Sequence, residues 1–473
     1  MKVGFISLGC PKNLVDSEVM MGQLASHGHE LTPHPDQADV LVVNTCSFID
    51  PAKKESIDTI LEMAEYKKVG RAQRLVVAGC LVERYRGDIR KDMPEVDAVI
   101  GTNEIDHIVA VCEGIDDPVA DPAPYLYHDL TPRVLATPRH FAYMKIAEGC
   151  DHPCTFCVIP QYRGNFRSRR FESVISEATR LFSQGVREIN LIGQDTTCYG
   201  EDLGLKDGLA QLLARLAQVE TPLPKWVRFL YAYPNKVTQK LLDTIAEHAD
   251  LVKYIDMPLQ HASAPVLKRM KRGASGDIFL KLIAKIRRTI PGVAIRTSFI
   301  AGFPGETDAD FETLCQFVEA AQLDRLGVFS YSDEDTSKSY ALDGKVDGRT
   351  ISNRKRRLMA LQRKISRVRN RAMIGRDVPV LVEGRSPDTD LLWQARMSTQ
   401  APEIDGTVLI NDFEGAEPAP GQMRLLRITE AHDYDLIGTL LASNEPDRPL
   451  GASPSTLVHI APAFVIPNQI PAR

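Results

Sequence analysis

The sequence predicts an α/β protein of three domains: an N-terminal open parallel sheet, a central (β/α)6 partial TIM-type barrel, and a small C-terminal domain of short strands. Three observations carry this reading. From Met1 to about Gly114, apolar runs alternate with helical patterns, and three of the runs stop at a cysteine. Between Phe141 and about Leu326, six more strand-like runs are separated by helical stretches. From Arg376 to Ala442 the pattern shortens to brief strands and turns.

In the first region (1–114), KVGFISLGC ends at Cys10, DVLVVNTC at Cys46 and RLVVAGC at Cys80. Continuous Val, Ile and Leu runs suit strands buried on both faces of a parallel sheet. The helical segment from Pro51 to Lys68 has Asp50 as its expected N-cap and Pro51 in its first turn. In such a sheet ligands bind beyond the carboxyl ends of the strands, so all three cysteines are expected at one edge. Any one of them alone would read as a small buried hydrophobe. Three equivalent strand ends favour a shared metal site instead. Cys112 and Cys315 read as helix packing, and Cys198 stays open.

Residues 115–140 carry Pro118, Pro122, Pro124, Pro132 and Pro138, and read as an extended linker. The second domain, 141–375, is built on FAYMKIAEG, EINLIGQD, WVRFLYAYP, LVKYIDMPLQ, VAIRTSFIAGF and RLGVFSYSD. Phe171 to Ser183 and Ala264 to Ile290 are among the helices between them. Chemistry in such barrels sits at the C-terminal mouth, where Gln194, Asp195, Gln260, His261 and Ser298 are expected. In GFPGETDADF, Thr307 and Asp310 form a capping box. After the first strand, EGCDHPCTFCVIPQYRG gathers Cys150, Cys154 and Cys157 with C-x3-C-x2-C spacing. Zinc and iron–sulfur cubes both want four ligands. Either another residue, such as His152 or His140, closes a zinc site, or one metal position is left open.

Composition narrows the class. Apolar residues at 44% and charged residues at 25%, with a net charge of −5, are ordinary for a soluble globular chain. That balance points neither to a nucleic-acid coat nor to a membrane surface. No apolar run reaches membrane-span length, and MKVGFISLGC lacks a signal-peptide layout. Nine cysteines, an odd count, argue against a secreted disulfide framework. A cytoplasmic protein without membrane contact is expected. The last 31 residues, 443–473, hold six prolines without helical periodicity and read as a poorly ordered tail.

The three-cysteine loop on a six-unit β/α barrel resembles the radical S-adenosylmethionine superfamily. The resemblance implies that Cys150, Cys154 and Cys157 hold a 4Fe-4S cluster whose fourth iron binds S-adenosylmethionine. One electron from the cluster would then release a 5′-deoxyadenosyl radical. GCPKNLVDSE, NTCSFID, VVAGC, EGCDHPCTFCVIPQYRGNFRSR, LIGQDTTCYG, PLQHAS and IAGFPGET extend the likeness over residues 1 to about 442 to the methylthiotransferase family. That family implies a second 4Fe-4S cluster on Cys10, Cys46 and Cys80, and a small C-terminal antiparallel β-barrel, TRAM, at 376–442. One S-adenosylmethionine would methylate sulfur held on that second cluster. Another would be cleaved to start hydrogen abstraction at the substrate carbon. An electron donor such as flavodoxin or ferredoxin is implied as partner. Phe156, Gln194 and Arg296 are expected near S-adenosylmethionine, and no residue is assigned as a catalytic acid or base.

Two branches of the family differ in substrate. One modifies adenosine in tRNA, the other the β-carbon of an aspartate in ribosomal protein twelve of the small subunit. GCPKN followed by LVDSE resembles the protein-modifying branch, since the tRNA branch usually has glutamine and methionine where Pro11 and Lys12 stand. Charge agrees. Residues 376–442 hold five Arg and no Lys against twelve Asp or Glu, a net −7. A tRNA-gripping domain should be basic, whereas an acidic barrel suits a basic ribosomal protein. Against this, RKRRLMALQRKISRVRNR (354–371) has nine positive residues and no acid. Leu358, Leu361, Ile365 and Val368 are expected to pack, leaving a basic solvated face that suits RNA, either tRNA or ribosomal RNA near the target protein. Arg163, Arg167, Arg169 and Arg170 read equally as substrate contacts or solvated loop charges.

Overall fold

The computed structural model describes residues 1–115, 125–442 and 458–460. Its first layer is a parallel sheet: β1 (Lys2–Ser7), α1 (Pro11–Ser26), β2 (Glu30–Thr32), β3 (Val40–Thr45), α2 (Asp50–Val69), β4 (Arg74–Gly79), α3 (Cys80–Asp92), β5 (Ala98–Ile100) and α4 (Ile108–Cys112). Every residue of β3 is buried, as its unbroken apolar run requires. The N-cap of α2 is Ile49 rather than Asp50, which forms its first helical residue. Cys112 packs at the end of α4, as expected.

The barrel follows as β6 (Phe141–Lys145), β7 (Ala147–Glu148), α5 (Ile159–Arg163), β8 (Arg167–Ser168), α6 (Phe171–Ser183), β9 (Glu188–Ile192), α7 (Gly208–Ala217), β10 (Trp226–Phe229), α8 (Gln239–Glu247), β11 (Tyr254–Asp256), α9 (Ala264–Arg269), α10 (Gly276–Thr289), β12 (Ala294–Ala301), α11 (Asp308–Ala321), β13 (Arg325–Ser330) and α12 (Gly348–Arg371). All six predicted strands form, in two parallel triplets, β6-β9-β10 and β11-β12-β13. A bridge from Val227 to Leu251 and a bond from the Ala232 N–H to the Asp256 carbonyl (2.8 Å) close the seam between them. The helical stretch 264–290 is broken into α9 and α10, with Gly273 at φ +56° between them. The capping box of Thr307 and Asp310 opens α11, and Cys315 is buried within that helix.

The C-terminal barrel comprises β14 (Asp377–Ser386), β15 (Thr389–Met397), β16 (Val408–Phe413), β17 (Met423–Ala431) and β18 (Leu436–Leu440), closed in the order β14-β15-β16-β18-β17. Its pairing is antiparallel except between β16 and β18. It docks on the barrel end where β9 and β10 begin. There Glu188 is fully buried between Arg228 (2.8 Å) and Arg396 (2.7 Å), and Arg396 also reaches Glu383 (2.6 Å). The C-terminal mouth is therefore left to the first domain. Lys53 and Arg84 hold Glu334, from the loop after β13, at 2.8 and 2.6 Å.

Three expectations change. The described part of the linker, 125–140, is tied down: Arg133 bonds Glu18 (2.6 Å) and Glu177 (2.7 Å), both fully buried. Within 443–473, β19 (Val458–Ile460) pairs in parallel with β1; the rest of that segment lies outside the described residues. On α12, Leu358 and Ile365 are buried, but Val368 is 68% exposed. Arg354 turns inward to Glu306 (3.1 Å) and Asp308 (2.7 Å) instead of joining the solvated face. No described helix is long and apolar enough to cross a membrane.

Candidate active site

The cysteines predicted at one sheet edge do lie there. Cys10 precedes α1, Cys46 follows β3, and Cys80 opens α3 directly after β4. Two glycines make the approach possible. Gly9 adopts φ +89°, and a Cβ on it would lie 2.7 Å from the Cys46 Cβ; on Gly79, at φ +94°, one would lie 2.2 Å from the Asn44 Oδ1. The backbone is pinned as well. Ser56 Oγ accepts from the Cys46 N–H (3.0 Å) and donates to its carbonyl (2.9 Å), while Asn13 donates to the Leu8 (3.1 Å) and Thr45 (2.8 Å) carbonyls.

The second triad lies in the loop after β6 and β7. Gly149 at φ +77° turns the chain into it, and the Cys150 N–H donates to the Gly164 carbonyl (3.2 Å). Each triad meets a buried arginine. Arg163 donates to the Cys80 Sγ and Arg272 to the Cys154 Sγ, each at 3.6 Å. Burial pushes the thiols up, Cys80 and Cys150 to about 11 and Cys157 to about 12. Cys46 is raised further by the same cause. Thiolates here call for cationic company, which bound iron supplies.

Neither triad closes as zinc would require. Among the described residues, the potential ligand set within 4.8 Å of one another is His152, Asp195 and Cys198. Tetrahedral zinc with bonds of about 2.3 Å needs thiolates closer together than that limit, whereas a cube spreads its ligands wider. His152 has other partners. Its Nε2 bonds Asp195 at 2.6 Å, its ring stacks on Tyr233 at 3.8 Å, and Arg272 covers the other face of that region at 4.2 Å from the Tyr233 ring. His140 precedes β6, at the opposite end of that strand from the triad, 3.7 Å from Glu383. Cys198 donates to Asp195 at 3.1 Å.

From Cys80 to Glu148, two residues before Cys150, runs a buried ionic network that sequence reasoning missed. Arg163, 2% exposed, holds Glu148 and Asp16 at 3.0 Å each and Asn13 at 2.5 Å. Lys145 bonds the same two carboxylates. Burial alone would raise the Glu148 carboxyl, yet Arg163 and Lys145 hold it well below the usual range. Glu148 in turn accepts from Gln194, whose Oε1 is buried with no partner among the described residues. A buried, unpaired amide oxygen beside the second triad fits a ligand that brings a donor, as the ammonium of S-adenosylmethionine would. Phe156 packs half-buried against the barrel core between Cys154 and Cys157. Arg296 is committed to Asp256 (2.7 Å) and lies 3.7 Å from Asp405, so its guanidinium has protein partners and is withdrawn as a cofactor contact.

The remaining predicted mouth residues divide. Gln194 and Asp195 follow β9 as expected. Gln260 follows β11 at φ +70°, but His261 is fully buried and pushed down to about 4 by burial. Ser298 sits inside β12 rather than at its end. Of the four loop arginines, Arg163 and Arg169 are buried, Arg167 is half-buried and Arg170 is exposed. Arg169 bonds Glu177, so it is a structural ion pair rather than a solvated charge.

A cysteine triad at the edge of a parallel sheet and a second in the mouth of a partial β/α barrel fit a radical S-adenosylmethionine enzyme with an auxiliary cluster domain. Comparison with known proteins agrees. Residues 2–101 match Uncharacterized protein family UPF0004, 144–318 the Radical SAM superfamily and 374–441 the TRAM domain. The radical S-adenosylmethionine methyltransferase TsrM from Kitasatospora setae shares the fold, with a TM-score of 0.52 over 70% of this chain and 74% of that one at 14% identity. Curated proteins named ribosomal protein uS12 methylthiotransferase RimO are far more similar. That of Solibacter usitatus is 82% identical, covering 97% of this chain and 98% of its own. That of Koribacter versatilis is 59% identical over 93% and 96%. This chain belongs to the RimO family of methylthiotransferases.

Proposed function

We infer that the enzyme inserts a methylthio group at the β-carbon of an aspartate in small-subunit ribosomal protein uS12, using two 4Fe-4S clusters and S-adenosylmethionine. The observation that supports the chemistry is the pair of cysteine triads, one at the sheet edge where Arg163 meets Cys80 and Glu148, the other in the loop after the first barrel strands. The shared name of relatives up to 82% identical carries the substrate. We assign one cluster to Cys10, Cys46 and Cys80, the other to Cys150, Cys154 and Cys157, and S-adenosylmethionine to the side of Gln194 and Phe156. The domains are taken as 1–114, 141–375 and 376–442, with 125–140 packed between the first two.

When bound, the clusters and S-adenosylmethionine supply the electron, the radical and the sulfur that a C–H bond of low acidity requires. The chain itself does the positioning. Glu148 orients Gln194, and the His152–Tyr233–Arg272 stack covers the Cys154 side of the second triad against water. Arg163 and Arg272 each offer an N–H to a cysteine sulfur. A small electron-transfer protein of the flavodoxin or ferredoxin class fits as reductant. Arg356, Lys364 and Arg371 are exposed on α12 with no acidic partner among the described residues, which supports a contact with ribosomal RNA beside the target.

The reading is tested with anaerobically reconstituted enzyme, S-adenosylmethionine, a reductant and purified uS12. The expected product is uS12 heavier by one methylthio increment on aspartate. Modification of tRNA adenosine with uS12 untouched would refute it.

A further inference from the structure

We propose that Lys12 binds the side-chain carboxylate of the aspartate the enzyme modifies; this rests on the uS12 reading above. Among the described residues, three buried cations near the triads are committed. Lys145 bonds Asp16 and Glu148, Arg163 bonds Asp16, Glu148 and Cys80, and Arg272 bonds Cys154. Lys12 differs. It lies two residues past Cys10 and is 8% exposed, and its Nζ sits 3.3 Å over the centroid of the Tyr231 ring. No oxygen or sulfur accepts from that ammonium among the described residues. An ammonium largely withdrawn from water and without a counter-ion is less stable than a solvated one, and a ring face offsets only part of that cost.

The platform beneath it is itself strained. Tyr231 follows β10 at the barrel mouth with φ +65°, a region costly for an aromatic residue. Its N–H is held by the Asp256 Oδ2 (3.0 Å), and its carbonyl accepts from the Thr196 N–H (3.2 Å). Backbone strain of this kind persists where the surrounding structure enforces it, typically at functional sites. Lys12 and Tyr231 thus place an unpaired cation at the seam between auxiliary domain and barrel, beside Cys10.

An aspartate presents a complementary anion. Its carboxylate is bonded directly to the β-carbon that receives the methylthio group. A charge-assisted bond to Lys12 would therefore fix the reacting carbon to within one bond of the anchor. S-adenosylmethionine also carries a carboxylate, so the test must separate the two sources.

Affinity for uS12, and for uS12 with the target aspartate changed to asparagine, would be measured with cluster-loaded wild type, Lys12→Met and Lys12→Arg. KM values for uS12 and S-adenosylmethionine would be measured alongside. Lys12→Met is expected to weaken binding of native uS12 roughly tenfold and to raise its KM. It should bind the asparagine form no worse than wild type does, and Lys12→Arg should recover most of the affinity. The proposal is overturned if Lys12→Met changes nothing, weakens both forms equally, or acts on the KM for S-adenosylmethionine instead. If wild type does not modify uS12 at all, the function reading fails and takes this proposal with it. If wild type modifies uS12 and Lys12→Met does so equally well, only this proposal falls.

Discussion

Enzyme in which Cys10, Cys46 and Cys80 are all alanine is expected to hold about four irons instead of about eight. It should still release 5′-deoxyadenosine from S-adenosylmethionine, yet insert no methylthio group. The two triads sit on different domains and are pinned by different elements: the Gly9 and Gly79 turns hold one, the Gly149 turn and Arg272 the other. Removing the first set of ligands thus leaves the second intact. The reverse replacement, of Cys150, Cys154 and Cys157, should end both cleavage and insertion. Iron analysis, deoxyadenosine release and substrate mass read the three quantities separately. Insertion that survives loss of the first triad would show that its cluster is not the sulfur carrier.

Arg163→Met is expected to have the second largest effect, on stability and cluster chemistry together. Its guanidinium is 2% exposed on the side chain and is shared by Asp16 and Glu148 at 3.0 Å. Without it two buried carboxylates have Lys145 as their remaining cation, a loss of roughly 3–5 kcal/mol. The Cys80 sulfur also loses a charged donor. A cation beside a cluster thiolate favours the reduced, more negative state, so the auxiliary cluster's potential should fall. Arg163→Lys keeps the charge without the planar fork and should lie between. Denaturation of the cluster-free chain and a spectroscopic redox titration measure the two effects. An unchanged potential in Arg163→Met would show that the contact to Cys80 is only structural.

Much of this site was legible because its chemistry is written in local spacing. Cys150, Cys154 and Cys157 share one loop, and Cys10, Cys46 and Cys80 each stop an apolar run, so the strand ends and the two cysteine groups were read together. Arg163 was not legible. Its partners Asp16 and Asn13 lie 147 and 150 residues away in sequence, and an arginine in a polar loop looks solvated until the domains meet. Arg354 misled in the same way, since its carboxylate partners are Glu306, in the turn before α11, and Asp308, the first residue of that helix. Arg296 stood on a barrel strand as expected, but Asp256 on the neighbouring strand and Asp405 from the C-terminal barrel had already claimed it. Val368 kept helical spacing with Leu358 and Ile365 yet faces solvent: α12 packs along a narrower stripe than four apolar residues imply.

The central claim is that this enzyme acts on uS12 in its own cell. The direct measurement is the mass of uS12 purified from the host with and without the gene, alongside tRNA nucleosides from the same cells. Loss of one methylthio increment from uS12 with the nucleosides unchanged is the predicted result. An unchanged uS12 mass, with the methylthio group missing from tRNA adenosine instead, would contradict it.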